Sequence, residues 1–295
     1  MNRLQRIALG SIAVGVLVLG IKYVAYAVTG SVALLSDALE SIVNVATAIA
    51  AFVALRISMQ PADANHPFGH SKAEYLSAVV EGVLIVIAAC AILHEAYLGF
   101  VAPNLLHAPV AGLAISAVAS VINAGWATLL VRQGREHRSP ALEADGKHLF
   151  TDVVSSVGVV VGVALVFLTR IAVLDAVLAA LVALNVLWAG WNIMRESVGG
   201  LMDEAVPEDV LNRVREVIAT NAEGAVEAHD VKTRRAGKMT FIEFHLVVAS
   251  EMTVTAAHDI CDRLERALRN AVPDSAVSIH VEPETKAKHS GIVVL

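Results

Sequence analysis

Two pairs of polar side chains stand inside long apolar runs of the sequence, and their spacing suggests metal coordination. Glu40 and Asn44 lie four residues apart in one run, and His148 and Asp152 lie four apart in another. Residues four apart share one face of a helix. Two such faces turned toward each other place four donors around one point, which suits a tetrahedral site for a borderline metal. The alternative is that these groups only form hydrogen bonds between helices.

Two further carboxyl groups lie in the same apolar environment. Asp37, three residues before Glu40, is interpreted either as an acceptor that orients a metal ligand or as a polar contact between helices. Glu81, in a third apolar run, is interpreted as interfacial or hydrogen-bonded rather than as a ligand. Ionisable groups at bilayer depth are costly, so each is a candidate functional residue.

A second set of possible ligands lies in the polar stretch 60–70. Asp63, His66 and His70 fall within eight residues there, and two prolines and a glycine favour a rigid loop over a helix. Two imidazoles and one carboxylate can bind a metal through three ligands. A solvated polar loop is the alternative.

A third set lies in the last part of the chain, which carries His229, His245, His258 and His280 on four predicted elements. Glu282 follows the last of them by two residues. Alternate residues of a strand share a face, so His280 and Glu282 are expected to point the same way. The set is compatible with a metal cluster and also with ordinary surface histidines.

The elements that position these residues follow from the composition. The 295 residues are 56% hydrophobic and only 17% charged, which indicates an integral membrane protein. Six apolar runs approach the roughly 20 residues that a helix needs to cross a bilayer; they are 7–27, 31–57, 78–100, 108–131, 148–168 and 171–193. The first run is expected to remain in the mature protein, because it lacks a polar A-x-A-like exit before the next span.

Basic residues set the expected orientation. Eight of them precede the first run or lie in the second–third and fourth–fifth loops, whereas the opposite side offers only Lys22 and Arg170. Such an excess marks the cytoplasmic side. Both termini are therefore predicted to be cytoplasmic, and an inner membrane location is the simplest assignment.

Past residue 200 the sequence changes to that of a soluble domain. A helix that starts at Pro207 and keeps one apolar face as far as Ile218, strands at 228–235 and 240–248, a helix at 255–270 and a strand at 276–281 predict an αββαβ unit. The predicted fold is therefore an all-α six-helix transmembrane domain over 1–200, followed by a small cytoplasmic α+β domain over 201–295. Residues 203–288 carry sixteen acidic and eleven basic side chains, so no nucleic-acid surface is expected. A unit of this size favours a partner subunit for its exposed face.

These motifs together resemble the cation diffusion facilitator family, especially its bacterial zinc/iron-exporting branch. The resemblance rests on H-P-F-G-H-x-K-x-E over residues 66–74, on S-D-A-L-E-S over 36–41, and on Ala144-Asp145 through Asp152. Leu201-Met202-Asp203 and the pairs at 229–230 and 279–280 add to it. The resemblance covers nearly the whole chain, and the first string is highly specific.

The resemblance implies a homodimer in the lipid bilayer whose cytoplasmic domains have a metallochaperone-like fold. By position, it assigns Glu40, Asn44, His148 and Asp152 to a transport site and Asp63, His66 and His70 to a loop site. It assigns a binuclear cytoplasmic site at the dimer interface to His229, His245, His258, His280 and Glu282. It also pairs Lys72 with Asp203 as a charge interlock at the membrane boundary.

This chain departs from the family pattern at the transport site. The branch usually has two aspartates where Glu40 and Asn44 stand. An amide oxygen is neutral and is a weak Zn²⁺ ligand, so the alternatives are a site with three protein ligands or one tuned to Mn²⁺ or Fe²⁺.

The function predicted from the sequence is proton-coupled efflux of a divalent transition metal by alternating access. Zn²⁺ is the first candidate, with Fe²⁺, Mn²⁺ and Cd²⁺ as alternatives. A membrane-anchored metal sensor or storage scaffold is the second hypothesis, but a sensor needs no ligands at bilayer depth. A metal-dependent membrane enzyme is the third, and neither H-E-x-x-H nor G-x-S-x-G occurs.

Overall fold

The computed structural model of the protein describes residues 3–29, 32–101, 110–169, 171, 173–289 and 291–293. The chain divides into two compact units, Met1–Val198 and Gly199–Leu295. The first unit is helical. Its helices are α1 (Arg3–Thr29), α2 (Val32–Ser58), α3 (Ala73–Val101), α4 (Val110–Glu136), α5 (Pro140–Thr169) and α6 (Val173–Leu201), the last of which runs into the second unit.

Six helices therefore stand where six apolar runs predict them. Four stretches within the described residues are long and apolar enough to cross a membrane: Arg3–Ala27, Ser41–Ser58, Ala73–Val101 and Ala176–Leu201. Helix α5 begins eight residues before its apolar run, because hydropathy marks only the lipid-facing part of a helix. Pro140 is its first residue, a position where the missing amide hydrogen costs nothing.

The helices of this unit approach closely where small residues meet. A Cβ atom added to Gly82 on α3 would lie 2.6 Å from Cγ of Met194 and 3.1 Å from the carbonyl oxygen of Gly190, both on α6. A side chain larger than hydrogen would therefore push α3 and α6 apart. Small residues at helix contacts are typical of membrane domains, where packing replaces the hydrophobic effect between helices.

The second unit contains α7 (Glu208–Asn221), β1 (Ala225–Ala236), β2 (Met239–Val248), α8 (Val254–Ala271), β3 (Ser275–Pro283) and β4 (Ile292–Val293). The predicted αββαβ order is confirmed. Strand β4 is an addition that the sequence did not predict. The sheet has the order β3-β2-β1-β4, in which β1 is antiparallel to β2 and β4, and β2 is parallel to β3.

The alternation of β2 separates a core face from an open face. Ile242, Phe244 and Leu246 are fully buried and pack with residues of α7 and α8 such as Ile218 and Leu264. The residues between them, including His245, point to the other face of the sheet, since successive side chains alternate. Both helices therefore cover one face of the sheet and leave the histidine face open within this chain.

Candidate metal sites

Three of the predicted transport-site residues meet between α2 and α5. Nε2 of His148 lies 2.9 Å from Oδ1 of Asn44, and the Asn44 amide nitrogen donates a hydrogen bond of 2.5 Å to Oδ2 of Asp152. Asn44 and His148 are each 5% exposed, and Asp152 is half-buried. The four-residue spacing on α5 places imidazole and carboxylate on one helix face, as the sequence predicts. The side chains of Glu40 and Asp37 lie outside the described residues.

The Asn44 amide has a specific role in this arrangement. Its oxygen faces an imidazole nitrogen and its nitrogen donates to a carboxylate, so one side chain links the two groups of α5. A carboxylate at position 44 could not donate to Asp152. The amide thus pairs with the half-buried Asp152 carboxylate, which an ionised carboxylate at position 44 could not do.

Glu74, the last residue of the string 66–74, holds neighbouring segments together. Its carboxylate accepts hydrogen bonds from Ser58 at the end of α2, at 2.7 Å, and from Ser139 just before α5. The side chain is buried. Glu74 therefore connects α3 to the ends of the two helices that supply Asn44, His148 and Asp152.

The loop residues form a second group of donors. Oδ1 of Asp63 lies 3.2 Å from Nδ1 of His66, Oδ2 of Asp63 lies 3.4 Å from Nε2 of His70, and the two rings are 4.3 Å apart. One ligand atom from each residue lies within 4.8 Å of the others. Nδ1 of His70 is buried and has no hydrogen-bond partner among the described residues.

The backbone keeps the Asp63 side chain in its ligand form. The backbone N–H of His66, which donates to Oδ1 at 2.7 Å, lowers the pKa of Asp63. The N–H of Asn65 donates to the same oxygen at 2.9 Å. Gly69 adopts a φ of +84°, which allows the chain to turn between the two histidines. The donor set fits a divalent metal ion.

The cytoplasmic histidines come together through strand register. His229 on β1 is paired with His245 on β2, and His245 is paired with His280 on β3. Their rings are 5.3 Å and 4.9 Å apart. Carboxylate oxygens of Glu282 lie 3.3 Å from Nε2 of His229 and from Nδ1 of His245, and 3.8 Å from Nε2 of His280. Four of the five predicted residues are therefore neighbours on the open face of the sheet.

Asp230 joins this cluster, although sequence reasoning did not select it. Donor atoms of His229, Asp230 and His245 lie within 4.8 Å of one another. Asp230 has a φ of 51°, and the register of β1 against β2 shifts between His229 and Lys232. This bulge brings two consecutive side chains to one site, which regular alternation forbids. The His229-Asp230 pair in the sequence was the available signal.

Glu227 supports the cluster from the same strand. Its Oε1 lies 3.1 Å from Nδ1 of His229, which directs the other ring nitrogen toward Glu282. That nitrogen is buried and lies 3.3 Å from Oε2 of Glu282 without the geometry of a hydrogen bond, so it makes no hydrogen bond to a described residue. An imidazole oriented by a carboxylate, with its second nitrogen unsatisfied, fits a metal ligand.

The end of the chain closes over this edge of the sheet. The backbone N–H groups of Lys288 and His289 donate to the Glu227 carboxylate, and the first of these bonds lowers its pKa. The Lys288 ammonium donates to Oδ2 of Asp230 at 2.6 Å, which lowers the pKa of that carboxyl. The ends of the cluster are therefore carboxylates at neutral pH.

Two predicted assignments concern His258 and the pair formed by Lys72 and Asp203. His258 lies on α8 with its side chain 71% exposed, and its nearest charged partner is Asp262, 3.6 Å away. Asp203 accepts a hydrogen bond of 3.2 Å from Arg234. The contribution of His258 to the cytoplasmic site and the interlock between Lys72 and Asp203 remain predictions.

Glu81 differs from its sequence interpretation. It is fully buried, and neither carboxylate oxygen has a hydrogen-bond partner among the described residues. Glu81 therefore does not lie at the surface of this unit, and neither oxygen bonds to another described residue. The sequence could not show this, because the burial arises from the packing of α3 against other helices.

Long apolar helices with buried nitrogen and oxygen donors define a multi-pass membrane protein with sites of the kind that bind metal ions. Comparison with known proteins specifies the family. The cation efflux transmembrane domain matches residues 8–202, and the cytoplasmic domain of cation efflux proteins matches residues 206–284. The chain belongs to the cation diffusion facilitator family, whose members are transporters rather than enzymes.

Relatives match over most of their length. An uncharacterised transporter of Synechocystis, sll1263, is 44% identical over 92% of this chain and 88% of its own. The cation-efflux pump FieF of Cronobacter sakazakii is 31% identical over 95% of this chain and 92% of its own. A Zn-form structure of CzrB, a candidate zinc transporter, is 48% identical over 30% of this chain and 99% of its own, with a TM-score of 0.27.

Proposed function

We propose that the protein exports divalent transition metal cations from the cytosol, Zn²⁺ first, in exchange for protons. The observation that carries this proposal is the meeting of Asn44, His148 and Asp152 between α2 and α5. Membership of a cation efflux family and likeness to proteins named as cation-efflux pumps support it. A binding scaffold would have no need for ligands buried inside the membrane unit.

The donor set favours a borderline metal. One imidazole and one carboxylate suit Zn²⁺, to which the neutral amide oxygen adds only a weak ligand, and Fe²⁺, Mn²⁺ and Cd²⁺ are the alternatives. Hard cations such as Mg²⁺ and Ca²⁺ prefer sites built from oxygen alone. Because the amide is neutral, this site offers less negative charge than a pair of aspartates at the same positions. Glu40 is proposed as the fourth ligand.

Proton coupling follows from the ligand chemistry. A metal ion binds neutral imidazole and ionised carboxylate, so metal binding and protonation of His148 and Asp152 exclude each other. Protons from the outside therefore displace the metal there, and the lower proton concentration of the cytosol favours reloading. Alternating access between the two sides completes the cycle.

The two remaining donor groups are proposed to bind metal on the cytosolic side. His229, His245, His280 and Glu282 would hold it on the open face of the sheet, with His258 contributing at the interface of a homodimer. Metal there supplies positive charge between acidic surfaces and so favours closure of two cytoplasmic domains. Asp63, His66 and His70 would hold a further ion. An inner membrane location, cytoplasmic termini and a boundary near residue 200 belong to the same proposal.

Metal uptake by proteoliposomes tests this function. Zn²⁺, Fe²⁺, Mn²⁺, Cd²⁺ and Co²⁺ are added outside vesicles with an acidic lumen, and uptake is compared with that of vesicles carrying Asp152→Ala. Uptake of Zn²⁺ that requires Asp152 is the expected result. Binding of Zn²⁺ without uptake would instead identify a membrane-anchored sensor or storage protein.

A further inference from the structure

A buried carboxyl group lies in the membrane unit outside the three donor groups described above. Glu81 on α3 is 0% exposed, and both of its carboxylate oxygens lack hydrogen-bond partners among the described residues. It lies between Ala78 and Ile85, which pack with Ala144 of α5 in one apolar cluster. A carboxyl group in such a position is very costly to ionise unless a cation lies beside it. Without a cation it keeps its proton.

The neighbouring charged group is another carboxyl. Asp145 on α5 is 1% exposed and accepts a hydrogen bond of 2.6 Å from Ser11 of α1, and it follows Ala144, which packs in the same cluster as Ala78 and Ile85 on either side of Glu81. Two carboxyls in one buried site are not ionised together, because each negative charge raises the cost of the other. Ser11 stabilises the ionised form of Asp145, so Glu81 is the member of the pair that holds the proton.

Among the described side chains of α2, α3, α5 and α6, none places a positive charge against Glu81, and Arg56 of α2 is exposed at the end of its helix. From α6 the contacts at Gly82 are Met194 and Gly190, and the charged residues Arg195 and Glu196 are exposed. On α3 itself, the Glu74 carboxylate is bonded to the two serines described above. Among the described charged groups, Asp145 is the one that directly follows a residue of the cluster beside Glu81.

The pair is electrically connected to the transport site. Asp145 stands about one helical turn before His148 and two turns before Asp152, so the three side chains lie on one face of α5. A divalent cation held by those residues therefore favours negative charge on Asp145 and Glu81. When the cation leaves, the same two carboxyls repel each other and take up a proton.

We propose that Glu81 and Asp145 form a proton-binding site separate from the metal site, in which Glu81 holds a proton while the transport site is empty and releases it to water when a divalent cation binds. This inference rests on the proposed function, and it adds a proton to those displaced directly from His148 and Asp152. The protein thereby exchanges more positive charge for each metal ion than its ligands alone allow. No bond other than the O–H bond of the carboxyl is made or broken.

Infrared difference spectroscopy of the purified protein in lipid, with and without Zn²⁺, tests the proposal. The carbonyl stretch of a protonated carboxyl is expected in the metal-free protein and is expected to disappear when Zn²⁺ binds. Glu81→Gln should remove this component, and Glu81→Asp should keep it at a shifted frequency. Glu95→Gln is the matched control, because Glu95 lies on the same helix but is exposed.

Proton release gives the second readout. Zn²⁺ binding to Glu81→Gln should release about one proton less per protomer than binding to the wild type or to Glu95→Gln. A wild-type spectrum without a metal-sensitive carboxyl band overturns the proposal, even if the variants do not fold. Unchanged proton release in Glu81→Gln overturns it as well. If the wild type itself exchanges no protons for metal, the proposed function fails rather than this inference alone.

Discussion

The change Asn44→Asp tests the geometry of the transport site directly. In the structure the Asn44 amide nitrogen donates to Oδ2 of Asp152 at 2.5 Å. An aspartate there places two carboxylates in contact. Two unit charges about 4 Å apart at an effective dielectric constant near 20 repel by about 4 kcal/mol, roughly a thousandfold in equilibrium. Without metal, the two carboxyls of the variant should therefore share one proton, and the wild type has no such proton.

This extra proton should appear when Zn²⁺ displaces it. Calorimetric titrations in buffers of different ionisation enthalpy give the number of protons released per metal ion, which is expected to rise by about one in Asn44→Asp. Zn²⁺ should also bind more tightly. The logarithm of its binding constant should rise with pH more steeply than in the wild type, by about one additional unit per pH unit. The physical reason is the added anionic ligand.

Asn123→Asp is the matched control, since Asn123 is another buried asparagine of the membrane unit, on α4. Asn123→Asp should change neither the number of protons released per Zn²⁺ nor the pH dependence of Zn²⁺ binding. If Asn44→Asp releases the same number of protons as the wild type and binds Zn²⁺ with the same pH dependence, Asn44 does not face the metal and the deduced site is wrong.

Asp152→Ala should reduce metal flux by more than about 100-fold in a correctly inserted dimer, since even residues that only orient a ligand cost about 10–100-fold; wild-type flux would refute the assignment. The pKa of Glu227 is lowered in the folded protein. The hydrogen bonds that its carboxylate accepts from the backbone of Lys288 and His289 are therefore fully formed above its unfolded pKa of 4.5, and they are lost as the pH falls through the lower folded pKa. Hydrogen exchange of residues 288–293, corrected for intrinsic rates, should become faster when the pH falls below the folded pKa of Glu227. In Glu227→Gln it should already be faster at neutral pH. Equal protection in the wild type and in this variant would contradict the prediction. The double variant His245→Ala, His280→Ala should keep some transport but lose activation by cytosolic Zn²⁺. Metal flux and the distance between labelled cytoplasmic domains measure this. If the distance in the wild type does not change with Zn²⁺, the domain serves only for dimerisation.

Much of the membrane site could be predicted because its signals are local. The four-residue spacing of His148 and Asp152 fixes one helix face, and polar groups inside apolar runs are rare enough to stand out. Hydropathy likewise predicts the six long helices of the first unit, because each contains a long apolar run of the sequence. In the cytoplasmic unit, alternation along β2 predicts that His245 lies opposite the apolar core.

The remaining features depend on contacts that sequence patterns do not encode. Asp230 reaches the histidines only because a bulge in β1 breaks the alternation. The bonds from the chain end to Glu227 join residues about sixty positions apart. Glu81 appears interfacial from its sequence, but the packing of α3 buries it completely. Each of these features arises from tertiary structure rather than from local preference.

The central claim is that metal moves through the Asn44–His148–Asp152 site in exchange for protons. The most direct test records internal Zn²⁺ and internal pH at the same time in one population of proteoliposomes, with Zn²⁺ added outside. If metal and protons are exchanged, Zn²⁺ enters while the lumen becomes more alkaline, a more acidic lumen accelerates entry, and Asp152→Ala abolishes both signals. Zn²⁺ entry that leaves the internal pH unchanged, or that continues in Asp152→Ala, would contradict it.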